Sequence, residues 1–171
     1  MRIKNRKIEF QPVKKINNNT FIIMWDYQPI LSINSKGEEI ETPLAIWQEK
    51  TFLYKPTLNE VKSLILEFYN EQITNKILSG FEWNNMKVWL SHENQINYKT
   101  IYDLAIQTDG QNLPVVLKFG SDENIQYFTF NTIKELSDFY LSSVEHIQKT
   151  LRDGWKQKDE LNWTVYSEKL K

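Results

Sequence analysis

A change of hydrophobic period at Pro56 constrains the fold of this chain more than any other feature of the sequence. Before Pro56, short β-branched and aromatic runs alternate with turn residues, a pattern typical of antiparallel strands. After it, Thr57 and Glu60 form a T-x-x-E capping box, and apolar residues recur at helical spacing. The sequence therefore predicts an α+β protein, with an antiparallel β region at 1–56 and an α+β module at 57–171 packed as one compact unit.

The β region carries three strand-like runs, separated by the asparagines at 17–19 and by the Ser35 to Gly37 cluster. These runs are KIEFQPV, TFIIMWDY and LAIWQEKTFLY. The first sixteen residues hold six Lys or Arg, including Arg2, Lys4 and Arg6, against one Glu. We interpret them as a solvated edge strand, because charge discourages edge-to-edge aggregation. The alternative is a contact with an acidic partner.

The second region is predicted to begin with a helix, a hairpin and a second helix. The first helix should reach Leu78 and end at Gly80, with a weak point at 74–75. Asn84 and Asn85 predict a two-residue hairpin turn, because asparagine tolerates positive φ. Ser91 is the expected N-cap of the second helix. Its predicted apolar face consists of Ile96, Thr100, Ile101, Leu104, Ala105 and Thr108.

A strand pair and a long C-terminal helix complete the predicted order. LPVVLKFG and QYFTF read as two strands, and Thr132 with Glu135 forms a second capping box. The final helix carries an apolar stripe of Ile133, Leu136, Tyr140, Val144, Ile147, Leu151 and Trp155. This stripe favours a helix lying on a sheet over a seam with a neighbouring subunit's helix. The tail after it either folds back or docks on another subunit.

Residue types that carry chemistry are sparse. Cysteine is absent, and the two histidines, His92 and His146, lie far apart, so no zinc spacing or thiol nucleophile can be built. Neither a phosphate-binding glycine loop nor a G-x-S-x-G elbow is present. We interpret His92 as a solvated first-turn residue. A carboxylate pair drawn from Glu82, Glu93 and Asp103 stays open. The sequence predicts no enzyme, cofactor or metal site.

Charge and hydropathy argue against two partner classes. The 21 basic and 22 acidic residues give no global field toward nucleic acid or anionic membrane. Basic residues alternate with aromatics near Lys50 and Lys87, but acids alternate just as densely, so no nucleic-acid partner is expected. No apolar run approaches the roughly 20 residues of a membrane span.

Aromatic residues make up 13% of the chain, with six tryptophans. Trp and Tyr dominate the centres of protein interfaces, so these residues favour protein–protein contacts. The candidate interface residues are Arg2, Lys4, Arg6, Trp83, Trp89, Trp155, Trp163 and Tyr166. For Trp89 itself, burial within the subunit is the favoured expectation.

Residues 78–160 resemble a domain of unknown function attached to tail-fibre and tail-region proteins of tailed bacteriophages and prophages of gut bacteria. The similarity rests on the hairpin and helix start WNNMKVWLSHENQ, the strand pair around LKFG, and the fragments ELSDFY and TLRDGWKQKD. The resemblance covers about half of the chain and leaves residues 1–56 unmatched. No catalytic residues are defined for that group, and none is carried over.

The resemblance implies a non-enzymatic structural component of a tailed-phage virion, at the neck, tail or fibre-attachment region. Its partners would be other phage structural proteins and further copies of itself, assembled in the bacterial host cytoplasm and retained in the virion. The alternative is a soluble tail or tail-fibre assembly factor that is absent from the mature particle.

Overall fold

The computed structural model describes residues 2–121 and 123–171 and confirms the predicted α+β class. The strands are β1 (Arg2–Arg6), β2 (Val13–Asn17), β3 (Thr20–Ile33), β4 (Glu39–Phe52), β5 (Phe81–Trp83), β6 (Met86–Val88), β7 (Val115–Ser121) and β8 (Asn124–Phe130). The helices are α1 (Leu58–Ser79), α2 (His92–Gln107), α3 (Ile133–Asp159) and α4 (Thr164–Ser167), with a 3-10 turn at Lys7–Glu9. Within the described ranges, no helix combines the length and apolar character that a membrane crossing requires.

The chain divides into two compact units. The first contains the residues up to Glu67 together with Leu161–Lys171, and the second is Phe68–Glu160. This division falls inside α1, whereas the change of sequence pattern lies at residue 56.

The first unit is built on a four-stranded antiparallel sheet with the order β1-β4-β3-β2. The run KIEFQPV is not the strand that the sequence predicts. Because β1 and β2 lie at opposite edges, the chain between them must cross the sheet, and it does so through the 3-10 turn. Phe10 anchors this crossing, with its ring 5.8 Å from that of Trp47 and 4.8 Å from that of Tyr27.

The middle of this sheet is buried on both faces. In the β3–β4 register Trp25 pairs with Gln48 and Phe21 with Phe52, and Phe21, Trp25 and Phe52 are buried. On the other face, Met24, Ala45 and Trp47 form a cluster with half-buried Ile3, Phe10 and Ile22. The inner ladder therefore forms a core layer of the first unit.

The second unit packs two β-hairpins and three helical segments around Phe139. The Phe139 ring lies 5.1 to 5.6 Å from the rings of Trp83, Tyr98, Phe119 and Phe130. Phe139 is fully buried, as are Phe130 and Leu136. An aromatic cluster of this kind supplies both buried area and favourable edge-to-face geometry.

Local start and turn signals are confirmed. The Glu60 amide donates to Thr57 Oγ1 at 3.2 Å, and the Thr57 amide donates to the Glu60 carboxylate at 2.7 Å. Thr132 and Glu135 form the second capping box, and Asn84 and Asn85 adopt φ of 48° and 63°. The remaining N-cap is also as predicted, with the Asn94 amide donating to Ser91 Oγ at 3.3 Å.

The predicted helix faces are wrong in part. In α2 the buried residues are Tyr98 and Ala105, whereas Ile96, Thr100 and Leu104 are exposed. Tyr98 replaces the aliphatic residues because its ring packs 5.1 Å from Phe139. The first helix runs unbroken through residues 74–75, so the expected weak point is absent from α1.

In α3 the buried seam consists of Leu136, Phe139, Ser143, Thr150 and Gly154. The predicted stripe is right at Leu136, with Tyr140 and Ile147 partly buried against the same core, but it misses the other four positions. A Cβ at Gly154 would lie 2.3 Å from Ile73 Cδ1 of α1. Small side chains therefore line this seam because α1 approaches it closely, and a search for large apolar residues overlooks them.

Candidate interfaces

A groove of about 690 Å³ opens on the second unit, beside the hairpin β5–β6 and strand β7. Its volume falls in the range of ordinary ligand clefts. The described residues that line it are Ser79, Lys87, Val88, Trp89, Asn94, Lys118, Phe119, Gly120 and Ser121. Below, these residues together are called the Trp89 groove.

Trp89 is 51% exposed, so the expectation that it is buried is wrong. The chain around it is nevertheless fixed. Asn94 Nδ2 donates to the Trp89 carbonyl and Gln95 Nε2 to the Leu90 carbonyl, both at 2.8 Å. The Leu90 amide donates to the Leu78 carbonyl at 3.0 Å, and the Leu90 side chain is fully buried. An exposed indole on so rigid a support is organised for contact before any partner arrives.

The groove is basic within the described lining. Lys87 on β6 and Lys118 on β7 contribute two ammonium groups, and no acidic residue is among the described residues that line this cleft. A smaller cavity of about 170 Å³ shares Lys87, Gly120 and Ser121 with it and also contains Glu82 and Gln126. Gln126 Oε1 is buried there without a hydrogen-bond partner in the described structure. The cleft thus offers cations, an aromatic face and a free acceptor nearby, while Glu82 lies opposite Lys87 in the β5–β6 register.

A second candidate surface is a β-arm, defined here as residues 29–43. Strand β1 pairs only with residues 44–48, and β2 only with residues 20–23, so β3 and β4 continue beyond the sheet as two strands alone. Pro29 and Pro43 stand at its base, where irregularities interrupt the β3–β4 register. Proline lacks an amide donor, which suits the point where further strand pairing stops.

The arm exposes aliphatic side chains at its end. Leu31, Ile33 and Ile40 are 49%, 74% and 47% exposed. From Pro29 to Ile33 the arm extends roughly 13 Å at about 3.3 Å per residue. Its two strands are joined at the tip by an ordered turn.

That turn is organised by one side chain. Asn34 Oδ1 accepts from the amides of Lys36 at 2.8 Å and Glu38 at 3.0 Å. Gly37 adopts a φ of 81°, a conformation that favours glycine. The aliphatic residues of the arm are consequently presented on a defined hairpin.

The predicted basic residues lie along strand β1 at one edge of the four-stranded sheet. Arg2, Lys4 and Arg6 are exposed. Arg2 donates to Gln28 Oε1 at 2.6 Å, while Lys4 and Arg6 make no ion pair among the described residues. The edge position expected of this basic segment is confirmed for β1, and the alternative of a contact with an acidic partner stays a prediction.

The predicted aromatic residues have different environments. Trp83 is half-buried, with its ring 5.6 Å from Phe139, and Trp155 is 53% exposed on α3. Trp163 is half-buried, with the Lys62 ammonium 5.7 Å from its ring. Tyr166 is buried, and its hydroxyl donates to the Met24 carbonyl at 2.9 Å. Trp155 therefore offers more free surface than the two aromatics of the final turn.

Two of the carboxylates considered for catalysis, Glu93 and Asp103, have separate partners among the described residues. His92 is exposed at the start of α2, as predicted, and lines a shallow groove of about 230 Å³. Glu93 has its pKa lowered by its own backbone amide and by Ser91, and Asp103 forms an ion pair with Lys99. The described residues contain no cluster of three or more His, Cys, Asp or Glu placed to bind a metal.

The sequence analysis did not identify the arm, and it did not place Lys118 and Asn94 in the Trp89 groove. Pro29 and Pro43, flanking an N-S-K-G-E turn, are the signal that would have indicated a hairpin extending past its sheet. Lys118 and Asn94 had no such signal, because their position beside Trp89 depends on the packing of β7 and α2.

Within residues 2–121 and 123–171, the α+β fold presents an exposed β-arm and a groove that contains Trp89, Lys87 and Lys118. Comparison with known proteins gave no matching family model, no matching curated protein and no matching solved structure.

Proposed function

We propose that this chain is a non-enzymatic component of a tailed-phage particle, at the neck, tail or fibre-attachment region, that binds an acidic and partly apolar segment of another particle protein. The observation that carries the binding role is the exposed Trp89, whose backbone carbonyl is bound by Asn94, in a groove that contains Lys87 and Lys118. The assignment to a phage particle rests on the resemblance of residues 78–160.

The chemistry of the groove selects its partner. Lys87 and Lys118 attract carboxylates, while Trp89 and the floor at Phe119 accept apolar side chains. Interface energy concentrates in such central aromatics, and charged neighbours contribute mainly orientation and association rate. A segment that alternates acidic and apolar residues meets both requirements.

The first experiment asks whether the protein belongs to the particle. Mass spectrometry of purified virions should find it in stoichiometric amounts relative to known tail proteins. Its absence would instead favour the soluble assembly factor and would contradict a permanent structural role.

The second experiment tests the groove itself. Trp89→Ala should reduce incorporation into particles, with an affinity loss of at least about 2 kcal/mol, or roughly 30-fold. Trp155→Ala is the matched control, because Trp155 is equally exposed but lies outside the groove. Circular dichroism should show the same melting temperature for both variants. Normal incorporation of Trp89→Ala, or a larger effect at Trp155, would contradict the groove as the binding site.

A further inference from the structure

The arm has an apolar surface that nothing in its own two strands covers. A hairpin of two strands is only marginally stable alone in water, and the arm lies beyond both β1 and β2. Exposed Leu31 and Ile33 share one face of the arm and form a patch of the kind that marks interaction sites, and exposed Ile40 lies on the opposite face. These features indicate that a partner covers the apolar surface of the arm. The charge of the arm indicates which surface binds it.

The arm is acidic. It carries Glu38, Glu39 and Glu41 against a single Lys36, and Glu41 forms an ion pair with Lys7 of the 3-10 turn. Pairing two arms symmetrically would bring these glutamates together, and like charges on facing strands are destabilising. A symmetric arm-to-arm contact is therefore disfavoured.

The complementary surface lies on the same sheet, at the edge formed by β1. Ile3 pairs with Trp47 and belongs to the cluster on that face, so Arg2, Lys4 and Arg6 alternate onto the opposite face. Ile8 follows directly and is 82% exposed, which adds apolar surface beside the charges. An unpaired edge with this composition fits an acidic, aliphatic strand.

We infer that the arm of one copy packs along strand β1 of a second copy, so that the chain assembles head to tail. The contact adds a strand to an open sheet edge, with Glu39 and Glu41, which share one face of the arm, on the same side as Arg2, Lys4 and Arg6. This inference specifies the homo-oligomer of the proposed function and is independent of the partner in the Trp89 groove.

A head-to-tail contact has a geometric consequence. Each copy uses two different surfaces, so assembly continues until a ring closes or a filament forms. Opposite charges across the contact also make the assembly sensitive to salt, because exposed pairs are screened at about 8 Å at physiological ionic strength.

Two variants disable one surface each. The arm variant combines Leu31→Ser, Ile33→Ser and Ile40→Ser, and the edge variant combines Arg2→Gln, Lys4→Gln and Arg6→Gln. The control is Lys14→Gln with Lys15→Gln, which removes two basic residues from β2 at the opposite edge of the same sheet. Light scattering over a concentration series gives the mass of each, and circular dichroism verifies folding.

The expected result is specific to a head-to-tail contact. The wild type and the control form a multimer, while each disabled variant alone loses at least about tenfold in self-association. An equal mixture of the two variants should stop at a dimer of twice 20.5 kDa, because only one productive contact remains. A second arm variant, with glutamine at 38, 39 and 41, should assemble less well than wild type at low salt only.

Three results would overturn the inference. A wild type that stays monomeric at every concentration removes the self-contact while leaving the groove and its particle partner untouched. An edge variant that assembles normally means that β1 is not the docking strand. A mixture that stays monomeric excludes the head-to-tail arrangement.

Discussion

Strands β3 and β4 run through two environments, and the contrast between their inner and outer halves explains most of what the first unit offers. The inner half pairs residues 21–25 with 48–52, lies between β1 and β2, and buries Trp25 on one face and Trp47 on the other. The outer half pairs residues 31–33 with 39–41 in the same antiparallel manner, yet Leu31 and Ile33 are exposed.

The two halves resemble each other in sequence, because both contain β-branched residues of high strand propensity. What separates them is the presence of neighbouring strands. Strand propensity therefore predicts only that both halves are extended. Which half belongs to the core depends on how far β1 and β2 run alongside β3 and β4. The outer half is the part that remains available for another chain.

The largest expected effect comes from breaking the inner half. Trp47→Ala should lower the free energy of unfolding by about 3 to 5 kcal/mol, because it removes a fully buried ring beneath Phe10. Ile33→Ala in the outer half should lower it by less than about 0.5 kcal/mol in the dilute protein. Chemical denaturation followed by circular dichroism measures both.

Equal losses at Trp47 and Ile33 would contradict the division into core and arm. A small loss at both positions would show that the inner ladder does not form the core layer described above. Phe52→Ala provides a further control, since Phe52 is buried on the opposite face of the same inner ladder.

A smaller effect is expected at Asp26, which lies between the two halves. Asp26 adopts a φ of 55° at the irregularity after Trp25. Burial raises the pKa of its carboxyl, while the hydrogen bond from Gln28 and the charge of Arg2 lower it in part. The native state therefore binds the proton more tightly than the unfolded state, so stability decreases as pH rises from the unfolded pKa toward the folded one.

Asp26→Asn removes this loss and keeps a residue that tolerates positive φ. The variant should be more stable than wild type at neutral pH by about 0.5 kcal/mol or less, because the carboxyl is only partly buried. Its advantage should shrink as the pH falls from the folded pKa of Asp26 to the unfolded one. Thermal melts from pH 3 to about pH 7 measure the difference, and a growing advantage at low pH would contradict the assigned cause.

Much of the fold was predictable because its signals are local. The capping boxes at Thr57 and Thr132 satisfy amide groups within three residues, and Asn84 with Asn85 adopts the conformation that a tight hairpin turn requires. Such features need no knowledge of distant contacts. These local signals predict the order and type of most helices and strands.

Most of the wrong predictions depend on distant contacts. KIEFQPV is strand-like in composition, but its ends belong to opposite sheet edges and the chain must cross between them. The seam of α3 runs through Ser143 and Gly154 because α1 packs closely there. Aromatic residues in both units packed in ways that periodicity alone does not determine.

The candidate site was predicted only in part, for the same reason. Trp89 and the β1 basic residues could be named from type and position, whereas their surroundings could not. Residue type favours burial of Trp89, because large rings gain most from it. Asn94 instead binds the Trp89 carbonyl and Gln95 the Leu90 carbonyl, and in this backbone arrangement the ring is exposed. The tertiary structure alone identifies Lys118 as a neighbour of Trp89 and the arm as an exposed surface.

The most direct test of the contrast within β3 and β4 is hydrogen–deuterium exchange of the wild-type protein at low and high concentration, read by mass spectrometry of peptides. Residues 21–25 and 44–48 should be protected at both concentrations. Residues 31–41 should exchange rapidly when the protein is dilute and become protected when it is concentrated. Protection of residues 31–41 equal to that of the inner half at the lowest concentration would contradict the account, as would rapid exchange there in an assembled sample.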